Sequence, residues 1–417
     1  MRHQLKRFLS KTITPHGLKP TYNNDLEAYR GICAILVMLN HATTHEDLLL
    51  SGFSWPIFIK YINSGYLSVL VFFCISGYAI GCSNYLKGLN IKDYLLKRGI
   101  RLYPIYLIAI LGCLFIEPVS LVQLIQNILF LQNTDTYFGC KAPIFVNFVT
   151  WSLNYEVFYY LIFIIIALTK PKVWVILLII LLFSLTFIHP LLGTEFIANY
   201  NNGFYFWLLG LMFGWGLFGE RAINKTKYSL ISIIFLHLCI NYLGLGMIIL
   251  NLFKLKSNTN INWLFDLPFC VMLMGTLLGH KGKLLNVIKF GSYFIPFVIF
   301  TYLALNGRIF ENERWTICLL FWIISLCSYK ERAVSSILLP KLMLAGKISY
   351  GIYLFHVPVA LLIRKFVNIS NQNLEIVIKY SLWVVLTVGI SFIAERLIQP
   401  RIKNYFVKNA RPITPLL

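Results

Sequence analysis

The apolar stretches of this 417-residue chain are interrupted by few ionisable side chains, and several fall where chemistry is conceivable. Arg30 and His41 lie eleven residues apart on one apolar run. Eleven helical steps of about 100° make three turns plus roughly 20°, so both project from one face, ~16 Å apart along the axis. An imidazole held inside a span suits general-base work, while the alternative is that Arg30 snorkels to the surface and His41 bonds a neighbouring carbonyl. Glu156 sits in Trp151-Ser-Leu-Asn-Tyr-Glu-Val-Phe-Tyr-Tyr160, about one and a half turns below the surface and at a depth close to that of His41. A carboxylate there would fix the imidazole tautomer and stabilise its cation; an interfacial ion pair, with Trp151 in an aromatic belt, is the other reading. Arg98 and Arg101 stand three apart on one side of a helical turn ending at Pro104, where guanidinium forks suit phosphate, unless the basic loop only sets topology. His356 lies in Ser349-Tyr-Gly-Ile-Tyr-Leu-Phe-His-Val-Pro358, where the proline leaves carbonyl 354 without its usual donor. The favoured reading there is structural, a histidine satisfied by a broken turn.

The elements that carry these residues must be membrane spans. The chain is 58% apolar and only 13% charged, with 16% aromatic residues and a mean hydropathy of +0.72. Soluble domains average about 25% charged residues, so a water-soluble globule is excluded. Twelve runs approach bilayer length, at roughly 26–45, 65–84, 104–121, 152–168, 173–189, 203–218, 228–251, 263–279, 287–306, 314–329, 348–364 and 377–396. Some are short, so the expected fold is an all-α polytopic bundle of about 10–12 spans. The net charge of +21 does not point to nucleic acid, because the basic residues sit between apolar runs. With the N-terminus inside, inner segments hold 27 basic residues and outer loops 8, which predicts both termini in the cytosol. Arg30 and Lys379 fall within or at the edge of spans.

A cytosolic segment over 1–25, a membrane domain over 26–400 and a cytosolic tail over 401–417 follow. The basic N-terminus precedes no short apolar run, so the first span is expected to be the insertion signal rather than a cleaved leader. Eight of nine cysteines lie in or beside spans, with Cys140 in an outer loop, so no disulfide framework is expected. His41, His237 and His356 occupy separate spans without ligand spacing, and no metal is expected.

In order, these motifs resemble those of the acyltransferase 3 family, integral-membrane O-acyltransferases of bacterial surface glycans. Glu27-Ala-Tyr-Arg30-Gly31 with His41 resembles the family's Asp-x-x-Arg-Gly element and its histidine, with glutamate in place of aspartate. Gly65 to Tyr78 resembles the Phe-Phe-x-x-Ser-Gly motif, with Leu70 where many members carry aspartate. Lys97-Arg98-Gly-Ile-Arg101-Leu-Tyr103-Pro104 resembles the Arg-x-x-Arg-x-Tyr-Pro loop, and Trp151-Ser152-Leu153 with Glu156 the Trp-Ser-Leu-x-x-Glu motif. Gly346 to Pro358 resembles the late Gly-x-Ile-Ser-Tyr-x-x-Tyr-Leu-x-His-x-Pro motif. Leu397-Ile-Gln-Pro400 stands where members often show Ile-Glu-x-Pro.

The resemblance implies a multi-pass enzyme of the cell (inner or plasma) membrane that moves an acyl group, other than an amino-acyl group, from cytosolic acyl-CoA to a hydroxyl of a glycan or lipid-linked saccharide. Acyl-CoA, expected to be acetyl-CoA, is then a co-substrate rather than a bound cofactor. His41 and Glu156 would be catalytic, and Arg30, Arg98, Arg101 and Tyr103 would bind the donor. Glu27, Trp151, Ser152, Asn154, Tyr353 and His356 would support them. The rival class is a transporter or flippase using His41, Glu156 and Arg30 as a relay, but such proteins commonly carry internal repeats and none is visible.

Overall fold

The computed structural model describes residues 9–12, 14, 23–45, 48–53, 55–83, 89–131, 146–185, 195–218, 228–252, 254 and 261–409. Cys140, Lys141 and the basic residues Arg2, Lys6 and Arg7 lie outside the described residues, as do most of the 1–25 segment and the end of the tail. The described secondary structure is helical, with a single isolated β-bridge between Thr12 and Lys172. Among the described residues, five helices or helix pairs are long and apolar enough to cross a membrane, or six when a helix pair broken at 347–348 is counted as one span. The protein is therefore multi-pass; the helices Asn24–Thr44, Ile91–Cys113 and Glu195–Gly214 are 21, 23 and 20 residues long but too polar to be counted with these, and other apolar runs form shorter helices.

The chain divides into two compact units, 1–44 with 54–89 and 155–346, and 45–53 with 90–154 and 347–417. In the first unit, α1 (Asn24–Thr44) starts at Asn23, whose side-chain oxygen accepts from the Asp25 N–H at 2.7 Å. It packs on α14 (Ala333–Gly346) and on α3 (Tyr66–Ser83), which follows the short α2 (Ile57–Tyr61). Where α1 crosses α14, a Cβ added at Gly31 would come 2.5 Å from the Gly346 nitrogen, and one at Gly346 would overlap the Glu27 carbonyl oxygen. The most extensive packing in the unit joins α3 to α8 (Glu195–Gly214). Gly77 and Gly81 on α3 face Gly210 and Gly214 on α8. A Cβ at Gly77 or Gly210 would overlap a backbone carbonyl of the other helix. Two Gly-xxx-Gly stripes thus meet, and only absent side chains allow the backbones so close.

The same unit holds α7 (Val173–Leu185), α9 (Leu230–Leu243), α10 (Leu245–Leu252), α11 (Leu267–Leu277), α12 (Lys283–Leu305), α13 (Glu313–Cys327) and most of α6 (Trp151–Thr169). The run expected over 228–251 is broken at Gly244, which adopts φ +61 and ends α9 with its N–H on the Ile240 carbonyl. Helix α12 exposes Phe290, Phe294, Phe297 and Val298, a face suited to hydrocarbon rather than water.

The second unit contains α4 (Ile91–Cys113), α5 (Leu121–Ile128), the first turn of α6, α15 (Ser349–Phe366), α16 (Gln372–Phe392), a π-helical turn at Ile393–Ile398 and α17 (Gln399–Asn409). The expected turn ending at Pro104 is corrected here, because α4 runs through that proline to Cys113. Proline removes one backbone donor, but its fixed φ is helical, so a long helix with good flanking packing can absorb it. Arg98 and Arg101 consequently lie on a continuous helix rather than in a loop. The π-helical turn presents Glu395, whose carboxylate accepts the Gly351 N–H at 2.6 Å in the first turn of α15. An anion there meets the unsatisfied donors and positive end of the helix.

Candidate functional site

His41 occupies the last turn of α1 and is half-buried. Residues on both sides of it are pinned. Asn40 donates to the Asn63 side-chain oxygen at 2.7 Å, and Asn63 donates in turn to the Thr43 hydroxyl at 2.9 Å. The Tyr242 hydroxyl also donates to Asn63, at 2.6 Å, and the Trp55 indole donates to the Ala42 carbonyl at 3.0 Å. Asn63 is wholly buried, so this amide fastens the His41 turn to α9 and to the segment before α3. Its role was not anticipated from the sequence. The signal was present as the polar run Asn63-Ser64-Gly65 interrupting apolar residues.

Glu156 lies in the second turn of α6 and accepts from the Ser76 and Tyr160 hydroxyls, both at 2.5 Å. Ser76 belongs to the Ser-Gly pair of α3 and Tyr160 stands one turn further along α6, so two helices hold the carboxylate. His41 and Glu156 are not joined by a hydrogen bond among the described residues.

Arg30 ion-pairs with Glu27 at 2.6 Å and donates from the same nitrogen to the Gly346 carbonyl at 2.7 Å. The glutamate at the family's aspartate position thus holds the arginine against the last residue of α14, where the helix dipole favours a cation. Beneath this, His237 lies in a buried chain. Tyr29 is 2.8 Å from one ring nitrogen, Ser64 is 2.9 Å from the other, and Ser64 donates to Asn241. Donation from Tyr29, through the ring, to Ser64 and on to Asn241 satisfies every member, a structural use of that histidine.

The second unit brings together a different set. Arg98 lies over the Tyr94 ring at 5.6 Å, and the Arg101 carbonyl accepts from Gln399 at 2.7 Å. Tyr103 meets Phe130 edge-on, with ring centroids 5.2 Å apart. Ser152 and Tyr353 share a hydrogen bond of 2.8 Å, and Tyr353 also donates to the Val149 carbonyl at 2.8 Å. Asn154 donates to the Phe130 carbonyl at 2.5 Å, and Trp151 opens α6 half-buried beside them. These supporting residues therefore lock the start of α6 to α15 and to the end of α5.

His356 is wholly buried and its Nδ1 lies 3.0 Å from the Ile352 carbonyl, one turn back on its own helix. The structural partner expected for it is corrected accordingly. The carbonyl of Leu354, freed by Pro358, is taken by the Asn147 amide at 3.0 Å. The His356 carbonyl accepts the Trp383 indole N–H at 2.6 Å. Among the described residues no group of three or more His, Cys, Asp or Glu is placed to hold a metal ion, and the eight described cysteines are free thiols.

A multi-pass helical protein with ionisable groups pinned inside its spans is the class that fold and site define. The acyltransferase 3 family model, an acyltransferase domain, matches residues 23–306, and the chain belongs to that family. It is thus a membrane acyltransferase, a transferase of groups other than amino-acyl groups, acting between an acyl donor and an acceptor. The match includes Glu27, Arg30, His41, Arg98, Arg101, Tyr103, Trp151, Ser152, Asn154 and Glu156, and ends before Tyr353 and His356. No curated protein and no solved structure matches the chain.

Proposed function

We propose that the enzyme moves an acetyl group from cytosolic acetyl-CoA to a hydroxyl of an envelope glycan or lipid-linked saccharide at the outer face of the cell membrane. The observation that carries this reading is the acyltransferase match over 23–306, which takes in His41, Glu156, Arg98 and Arg101 together. Arg98 and Arg101, three residues apart on α4, bind the donor phosphates with charge-assisted hydrogen bonds, and Tyr103 contributes an exposed ring on the same helix. Arg30, held by Glu27 and Gly346, lines the passage of the thioester arm. His41 takes the proton of the acceptor hydroxyl. The hydroxyl oxygen then bonds to the thioester carbon, the carbon–sulfur bond breaks, and the departing thiolate recovers the proton from the imidazolium. In a two-step variant the imidazole nitrogen bonds to the thioester carbon, the carbon–sulfur bond breaks and the thiolate leaves as the thiol with the ring's proton; the acceptor oxygen then bonds to that carbon, the carbon–nitrogen bond breaks and the hydroxyl proton returns to the imidazole. Glu156, held by the Ser76 and Tyr160 hydroxyls, orients the imidazole.

Mass spectrometry of surface glycans and lipids from cells with and without the gene tests this reading. Acetyl-sized mass differences that vanish on deletion and return with the wild-type gene, but not with His41→Ala, are the expected result. Identical spectra in all strains would overturn it.

A further inference from the structure

Lys379 is an ionisable residue that neither the family motifs nor the proposed reaction uses. It lies on α16, seven residues and ~10 Å along the helix from its first residue, with its side chain only 5% exposed. An ammonium so placed is costly in an apolar span and calls for a partner and a purpose. Its partner is Glu375, one turn earlier, at 2.7 Å. Its purpose follows from the cavity of about 330 Å³ that both residues line in the second unit.

That cavity is walled by residues 49–53, which follow α1 in the chain, by the end of α15 and by the start of α16. Its volume is at the small end of ligand pockets, which run from about 300 to 1,000 Å³. The polar lining differs in kind from the lipid-facing surface around it. Arg364 donates to the Ser51 hydroxyl at 3.2 Å, the Lys379 ammonium lies 3.5 Å from the Leu49 carbonyl, and Asn368 in the α15–α16 connection and Gln372 at the start of α16 supply amides. Phe53 adds one aromatic wall, its ring 6.2 Å from that of Tyr380. Two cations against one carboxylate leave the lining net positive.

We infer that this cavity is a subsite for an acidic sugar, one residue of the acceptor glycan, with its anionic group at Arg364 and Lys379. Its hydroxyls meet Ser51, Asn368, Gln372 and Glu375, and its apolar face meets Phe53. A neutral sugar leaves the surplus positive charge unanswered, and a purely apolar ligand leaves the amides and the ion pair unsatisfied. The inference rests on the acyltransferase reading above for the word acceptor, but not for binding itself.

The test uses the full-length protein in detergent and follows its melting temperature against glucuronate, glucose and inorganic phosphate at equal ionic strength. Glucuronate raises the melting temperature by mass action, and glucose does so at least tenfold more weakly. Arg364→Gln, at an exposed position, shifts the glucuronate response to at least tenfold higher concentration with an unliganded melting temperature like that of wild type. Lys379→Met does the same if it folds, and Ser51→Ala gives a smaller shift if it does not. Equal stabilisation by glucuronate and glucose, a response matched by phosphate alone, or one untouched by Arg364→Gln and Ser51→Ala overturns the subsite. His41→Ala separates the two claims: it abolishes acyl transfer and keeps glucuronate binding. Loss of acyl transfer with binding intact in the wild type would remove the acyltransferase reading and leave the pocket. Transfer without binding would do the reverse.

Discussion

At the level of single residues, the proposed reaction rests on His41 as the group that takes the acceptor's proton. His237 and His356 have hydroxyl or backbone partners inside the fold, and the turn that carries His41 is pinned through Asn40, Ala42 and Thr43. His41→Ala should therefore lower acyl transfer by at least about a hundredfold, the lower end of general-base contributions, with a melting temperature near that of wild type. A rate within tenfold would place the proton transfer elsewhere. Arg30→Ala should lower stability as well as donor passage, because it strands the buried Glu27 carboxylate and the Gly346 carbonyl; breaking such a pair costs about 3–5 kcal/mol and should lower the detergent melting temperature sharply. Glu313 gives a pH signature. The Tyr61 hydroxyl at 2.9 Å, and then Lys60 at 3.3 Å, hold its carboxyl below the usual range. A depressed acid contributes stability above its ordinary range that is lost as pH falls through its folded value. Acid titration of the melting temperature should accordingly show a small loss below the carboxylate range that Glu313→Gln removes. The identities of the ionisable residues were legible in the sequence because apolar spans make them conspicuous. Asn63 was not, since an amide near a span end is common and three of its four hydrogen-bond partners, Asn40, Thr43 and Tyr242, come from helices α1 and α9.

Among the helices, what the sequence revealed was governed by period and length. Apolar runs mark nearly every helix, yet α14 falls between the expected spans 314–329 and 348–364, because Lys341, Pro340 and several serines dilute it. Its packing on α1 through Gly31 and Gly346 depends on two glycines far apart in the chain, which a local pattern cannot pair. The extent of α4 was likewise hidden by Pro104, a residue that usually ends a helix but is absorbed here. The Gly-xxx-Gly stripes of α3 and α8 were visible singly, but only their meeting explains them. Gly77→Leu or Gly210→Leu should thus prevent assembly of the first unit, read as loss of the monodisperse detergent species, because each side chain would enter the facing backbone. Gly99→Ala, which has open space around its Cβ, should leave the same readout unchanged. Tyr353→Phe should destabilise the joint between α6 and α15 by about 1–3 kcal/mol, the cost of leaving the Ser152 and Val149 partners unpaired.

For the whole molecule, composition was decisive about solvent and weaker about span count. The apolar surface of α12 and the helices long enough to span agree with a bilayer protein, while several expected spans prove to be short or broken helices. The charge asymmetry predicts donor-side basic residues inside and an acceptor at the outer face. The most direct measurement supplies labelled acetyl-CoA to sealed inverted membrane vesicles, whose cytosolic face is outward, and follows the label into lumenal saccharide. Label is expected to cross into saccharide with the wild-type enzyme and to stay as acetyl-CoA with His41→Ala. Label that enters saccharide only when acetyl-CoA is inside the vesicles, or equally with His41→Ala, would contradict it.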